Sequence, residues 1–289
     1  METELKPLEY PPLTDDLEEA KKHLNKYGVC IIKDAFSKEE VDLMDNRLKE
    51  QFAGEEKYKV GSKSRGDEGF GAKSPDEEKV SRLVWNLINK GDCFIPLINH
   101  PKIYPLIEHI IGDKVILCSM GAHMNGSGNE KMPLHQDQWP LVPHPLEFPV
   151  MANTMVLVSD NSPENGGTRL IPGSHKWPKL IRPTKWSNNQ SWYDDDSSFM
   201  DLPSLKEFEK NILIPELSLG DAVLFNFKIV HGSTGNNSSK SRRAFSIRFI
   251  GDDVKYIDRG GPTSPPFDGI NLKTGDLMRD DWFPKVFSS

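Results

Sequence analysis

The chain has 289 residues, with 36 Lys+Arg against 43 Asp+Glu and a net charge of -7. That balance leaves no basic footprint for nucleic acid or an anionic membrane surface. No apolar run is long enough to span a bilayer and Met1-Glu2-Thr3-Glu4 is not a basic, apolar leader, so a cytoplasmic protein of one β-rich domain is expected. Cys30, Cys93 and Cys118 are odd in number and widely spaced, which fits reduced thiols in the core better than a disulfide framework or a zinc cluster.

Residues 1–13 are Pro-rich and polar and read as a surface arm. From Asp15 to Tyr27, Leu17, Ala20 and Leu24 recur at helical spacing and Gly28 supplies a stop. Val29-Cys30-Ile31-Ile32 reads as a buried strand. Ser37 with Glu40 three residues on forms a capping box for a helix through Val41, Met44 and Leu48 to about Gln51. Residues 54–80 are charged and rich in Gly and Ser, a long loop. From Lys79 to Gly112 the spacing of Val80, Leu83, Val84 and Leu87, then of Ile103, Leu106, Ile107 and Ile110, predicts helices.

Beyond Gly112 the periodicity changes. Val115–Cys118, the segment around His135, Val150–Val158, Thr168–Ile171, Ala222–Phe227 and Ala244–Ile250 are short apolar or β-branched runs punctuated by Gly, Pro, Asn and Asp, which predicts a sandwich or barrel. Residues 178–215 interrupt them and read as an insertion over the barrel mouth. No linker or internal repeat divides the chain. One domain over residues 1–289 follows: a helical part to about residue 112, a β core over about 113–251 and a tail over 252–289.

The chemistry is concentrated at His135-Gln136-Asp137. In an extended segment residues i and i+2 share a face, so an imidazole and a carboxylate stand side by side. One further imidazole completes a two-His-one-carboxylate triad of the kind that holds Fe(II) on one face and leaves positions open opposite. His231, after the Ala222–Phe227 strand, is the candidate. Eleven residues later Arg242 opens the next strand, and a turn between antiparallel strands would carry a guanidinium back toward the metal. Only one of Arg242 and its neighbour Arg243 can face inward, because adjacent strand residues alternate. His-x-Asp alone is also an ordinary polar strand end.

Pro133-Leu134-His135-Gln136-Asp137, the run from Pro163-Glu164-Asn165-Gly166-Gly167-Thr168 to Gly173-Ser174-His175-Lys176, His231-Gly232-Ser233 and Arg242 together resemble the phytanoyl-CoA dioxygenase family of Fe(II)/2-oxoglutarate oxygenases. The resemblance extends from the Gly28-Val29 strand to Asp281-Trp282-Phe283-Pro284. It implies a double-stranded β-helix, or jelly roll, with iron held by His135, Asp137 and His231. It also implies 2-oxoglutarate chelating that iron, its distal carboxylate taken by Arg242, with Ser233 or Thr168 adding a hydroxyl. Asn86 corresponds to a position near the cosubstrate in related fungal oxygenases, although helix-surface polarity explains it as well. Some relatives carry a cosubstrate-binding glutamine shortly before His-x-Asp; here Lys131-Met132-Pro133 occupies that place. In the resembling family the His175 turn is structural. Arg248 is read as structural, paired with a surface acid, and His123 and His144 as histidines outside the site.

The implied reaction is oxidative decarboxylation of 2-oxoglutarate to succinate and CO2 with dioxygen, ascorbate supporting, coupled to hydroxylation of a substrate C–H. Desaturation, ring expansion and endoperoxide formation share the same oxidant. A halogenase would lack the carboxylate, and Asp137 is present. A jelly-roll binding or scaffold protein would not need the triad, and a zinc hydrolase would not need Arg242. Trp139, Phe148, Met151, Trp186, Trp192 and Phe199 offer apolar surface, so a hydrophobic small molecule such as a secondary metabolite is favoured over a fatty acyl-CoA. The final residues, Phe287-Ser288-Ser289, are no peroxisomal address. The loops 54–80 and 178–215 are expected to form a lid. Oligomeric state is not legible.

Overall fold

The computed structural model describes residues 9–58, 81–128, 132, 134–137, 151–177, 180–181, 199–200, 212, 214–255, 273 and 275–277. In chain order the elements are β1 (Leu13–Thr14), α1 (Leu17–Tyr27), β2 (Val29–Ile32), α2 (Lys38–Tyr58), β3 (Arg82–Trp85), α3 (Pro96–Asn99) and α4 (Tyr104–Ile111). They continue with β4 (Val115–Asn125), β5 (Met151–Leu157), β6 (Thr168–Ile171), β7 (Leu180–Ile181), β8 (Phe199–Met200), β9 (Ala222–Asn226), β10 (Val230–Ser233) and β11 (Arg242–Gly251).

The first helix is closed at both ends by its own sequence. Asp16 accepts the Glu19 N–H at 2.9 Å at the start, and Gly28, at φ 74°, returns its N–H to the Leu24 carbonyl at 2.8 Å at the end. Only glycine enters that left-handed region without strain. A Cβ there would also lie 2.3 Å from His175 Nδ1, so the absent side chain lets the 173–176 turn pack on the α1–β2 corner. The second helix opens on the reciprocal capping box, Glu40 N–H to Ser37 Oγ and Ser37 N–H to Glu40 Oε2. It runs to Tyr58, seven residues beyond the Gln51 end read from the sequence.

Seven strands form one sheet in the order β1-β2-β9-β5-β11-β4-β3. Strand β11 lies at its centre, antiparallel to both β4 and β5. One face carries Cys30, Ile32, Val156, Leu224, Phe245, Ile247 and Phe249 against Ala20, Leu24, Val41, Met44, Leu48, Leu106 and Ile107 of the helices. The other carries Val29, Ile31, Met155, Val223, Phe225 and Ala244, and packs on Leu170 of a second ladder, β6 antiparallel to β10. Alternation along each strand thus sends one set of side chains to the helices and the other into the barrel, the jelly-roll arrangement. Strands β7 and β8 form a small parallel pair within the insertion.

The helix predicted from Lys79 is corrected. Leu83 and Val84 lie in β3, paired with His123 and Ala122 of β4, and short 3-10 turns follow at Leu87–Asn89 and Asp92–Phe94. An apolar doublet fits either period, and the open edge of β4 decides for the strand. Most of the loops proposed as a lid, residues 59–80, 178–179, 182–198, 201–211 and 213, lie outside the described residues. Among the described residues no helix is long and apolar enough to cross a membrane.

Candidate metal centre and cosubstrate pocket

His135 reaches its position through backbone pairing rather than a full strand. Its N–H donates to the His231 carbonyl at 2.8 Å and its carbonyl accepts the His231 N–H at 2.9 Å, an isolated antiparallel bridge beside β10. The two imidazole centroids are 4.3 Å apart. Asp137, two residues on, faces the same way, with Nε2 of His231 at 3.7 Å and Nε2 of His135 at 4.0 Å from its carboxylate. Gln136 between them is buried as well and donates to the Lys228 carbonyl. The donor atoms of the three lie within 4.8 Å of one another and all three residues are buried, the one such group among the described residues.

The surroundings fix these ligands. His231 Nδ1 sits 2.9 Å from the Ile229 carbonyl, which places the proton on Nδ1 and leaves the Nε2 lone pair for a metal. Asn153 on β5 donates from Nδ2 to Asp137 Oδ2 at 2.8 Å and accepts from Ser246 Oγ at 3.2 Å. Arg248 Nη2 lies 3.3 Å from Asp137 Oδ1. Burial by itself would raise the pKa of Asp137, but the Arg248 guanidinium, the two imidazoles and the Asn153 amide outweigh it and hold the carboxyl well below the usual carboxylate range. One buried carboxylate and two imidazoles form a borderline-hard donor set suited to a divalent first-row metal such as Fe(II).

The cosubstrate candidates gather beside it. Thr168 and Ser233 are register partners on β6 and β10, two residues from His231. Arg242, 4% exposed, donates from Nε to the Gly166 carbonyl at 2.9 Å and from Nη2 to Thr168 Oγ1 at 3.1 Å. Its Nη1 is buried with no partner among the described residues. Burial pushes this guanidinium down to about 10. A buried cation with an idle donor, next to a hydroxyl and a metal triad, is suited to a carboxylate ligand. Ser233 Oγ accepts the Met132 N–H at 3.3 Å, so the backbone at Met132, in the stretch where a glutamine stands in some relatives, is tied into the ladder.

Arg243 faces away and pairs with Asp45 of α2 at 2.9 Å. Asn86 is half-buried past β3 at φ 55°, its carbonyl accepting the Asn89 N–H. The reading of Arg248 as the partner of a surface acid is overturned, since its partner is Asp137 itself. Asn153 and Ser246 were not singled out either. For Ser246 and Arg248 a signal existed, because both share the Arg242 face of β11 at even spacing. His175 packs on Gly28, and burial pushes it down to about 4. His123 lies edge-on to Trp85, centroids 6.2 Å apart, outside the triad. The three cysteines are free thiols. His144, Trp139, Phe148, Trp186 and Trp192, and the side chain of Phe199, lie outside the description.

A jelly roll carrying a buried His-Asp-His cluster defines a non-heme iron, 2-oxoglutarate-dependent dioxygenase. The chain belongs to the phytanoyl-CoA dioxygenase family, whose profile matches residues 24–244. It is 26% identical over 240 residues to dioxygenase af480 of Aspergillus fumigatus, covering 82% of this chain and 67% of that protein. It is 27% identical over 259 residues to dioxygenase olcK of Penicillium canescens, covering 81% and 70%. Its fold is similar to that of the non-heme alpha ketoglutarate dependent carbocyclase SnoK from nogalamycin biosynthesis, with a TM-score of 0.68 at 20% identity over 93% of this chain and 96% of that one. The epimerase SnoN, solved with Fe3+, alpha ketoglutarate and nogalamycin RO, gives a TM-score of 0.66 at 18% identity over 93% and 98%.

Proposed function

We propose that the protein hydroxylates a C–H bond of a hydrophobic small molecule, a secondary metabolite, at an Fe(II) centre held by His135, Asp137 and His231. The observation that carries this reading is the buried Arg242 with an unpartnered Nη1, set beside Thr168 on the ladder that holds His231. Arg242 takes the distal carboxylate of 2-oxoglutarate, with the hydroxyls of Thr168 and Ser233 flanking it, so that the keto acid end points to the triad. When bound, ferrous iron, 2-oxoglutarate and dioxygen supply a hydrogen-abstracting oxidant; substrate, 2-oxoglutarate and dioxygen become hydroxylated product, succinate and CO2.

The chain's own part is placement and exclusion of water. Asn153 and the Ile229 carbonyl hold Asp137 and His231 in one orientation each, and the apolar wall of Val223, Phe225 and Met155 keeps the ligand side dry. The enzymes of nogalamycin biosynthesis that share this fold support a small-molecule substrate over an acyl-CoA. Succinate release with Fe(II), ascorbate and 2-oxoglutarate, screened over terpenoid, polyketide and acyl-CoA panels, tests it. Stimulation by an acyl-CoA alone would move the substrate class, and no 2-oxoglutarate turnover with any compound would remove the reading.

A further inference from the structure

We propose that Arg248 anchors a carboxylate on the substrate, so that the substrate is a ring-bearing organic acid; this rests on the metal-centre reading above. Arg248 follows Arg242 by six residues on one face of β11, and the separation along the strand is about 20 Å. Arg242 lies against Gly166 and Thr168, whereas Arg248 lies against Asp137. The two guanidiniums therefore mark two ends of the site, and the one that takes 2-oxoglutarate leaves the other to a different ligand.

Arg248 is under-used where it stands. A guanidinium carries five N–H donors. Among the described residues its one hydrogen bond is the 3.3 Å contact from Nη2 to Asp137, at the long end of the range. Among the described residues its buried Nε has no partner and none takes its Nη1. The side chain is 20% exposed, so part of it is open to a ligand. Buried donors left idle beside a metal site are costly unless a ligand answers them.

Charge leads to the same ligand. A divalent metal with Arg242 and Arg248 faces Asp137 and the 2-oxoglutarate dianion, which leaves one positive charge unmatched among the described side chains of the site. A monocarboxylate on the substrate matches it. The adjoining wall suits a ring. Trp85 pairs with Gly121, and a Cβ at Gly121 would lie 3.1 Å from its indole, so the missing side chain lets the ring lie across β4. Gly121 in turn opposes Ser246, two residues from Arg248 on the same face. The indole thus shares the Arg248 face of the sheet, with Ser246 of β11 and Ser119 of β4 in register between them, a surface that takes an apolar ring body with an acid group at one end.

The test uses the full-length protein loaded with Zn(II) and 2-oxoglutarate, which cannot turn over, and calorimetry with 1-naphthoate and adamantane-1-carboxylate, each against its primary amide. At least one acid is expected to bind about tenfold or more tighter than its amide, the scale of one charge-assisted hydrogen bond. With Zn(II) and 2-oxoglutarate saturating in every variant, Arg248→Gln should erase that preference and Arg248→Lys should keep part of it. Equal binding of acid and amide, no binding of either acid, or a preference that survives in Arg248→Gln would overturn the proposal. An equal loss of acid and amide binding in Arg248→Gln would overturn it too, leaving Arg248 only its contact with Asp137. Failure of the wild type to bind Zn(II) and 2-oxoglutarate would instead remove the metal-centre reading beneath it.

Discussion

Arg242 and Arg243 are chain neighbours on β11 that serve opposite sides of one sheet. Arg242 enters the barrel and holds the Gly166 carbonyl and the Thr168 hydroxyl. Arg243 crosses to the helical layer, where Nε and Nη2 grip the two oxygens of Asp45.

Their substitutions should therefore separate binding from stability. Arg242→Met should weaken 2-oxoglutarate binding about ten- to a hundredfold or more, since a charge-assisted hydrogen bond contributes about 1.5–3 kcal/mol. The ligand-free protein should change by no more than about 1 kcal/mol, because removal of a buried, underpaired charge offsets the lost hydrogen bonds. Arg243→Met should cost about 1–3 kcal/mol of unfolding free energy by removing a two-point, partly buried pair, and leave 2-oxoglutarate binding intact. Calorimetry and denaturant titration of both variants check this.

Asn153 holds Asp137 at 2.8 Å from a neighbouring strand. Asn153→Leu should lower Fe(II) or Co(II) affinity about ten- to a hundredfold, as expected for loss of a group that orients a metal ligand. Ser246→Ala, one step further out, should have a smaller effect in the same direction. Competitive metal titration with a chromophoric chelator measures both.

Much of this was legible, for definite reasons. His135 and Asp137 declare a shared face by their spacing, and the Ser37–Glu40 box and Gly28 are local devices whose partners lie within four residues. Alternation puts Arg242 and Arg243 on opposite faces, and the family spacing from His231 picks Arg242 as the inward one. Strand β3 was not legible, because Leu83 and Val84 satisfy helical spacing and only the β4 edge, about forty residues on, selects a strand. Asn153 was hidden because a lone amide in Met151–Leu157 says nothing until β5 is seen to pass Asp137. Arg248 could have been found by extending the alternation three steps past Arg242.

Ser174 ties the turn to the metal ladder. Its hydroxyl donates to the Ile171 carbonyl at 2.6 Å and accepts the Val230 N–H at 2.8 Å, one residue before His231. Ser174→Ala leaves that buried N–H without a partner and should cost about 1–3 kcal/mol. Urea unfolding should show the loss, and metal binding should weaken with it.

His175 makes stability acid-sensitive. Burial lowers its pKa from 6.5 to about 4, so between those values the unfolded chain binds the proton more readily. Its contribution is full above pH 6.5 and is lost as pH falls toward 4. Melting temperatures across that window should drop less in His175→Gln than in the wild type. Parallel curves would show that this histidine is not the titrating group.

The most direct measurement of the central claim is anaerobic addition of Fe(II) and 2-oxoglutarate to the purified protein, followed by visible absorption. A keto acid chelated to ferrous iron at His135, Asp137 and His231 gives a charge-transfer band that saturates at one iron per chain, disappears in Asp137→Ala and needs far more 2-oxoglutarate in Arg242→Met. Absence of the band at saturating iron and 2-oxoglutarate, or an unchanged band in Asp137→Ala, would contradict the assignment of this site.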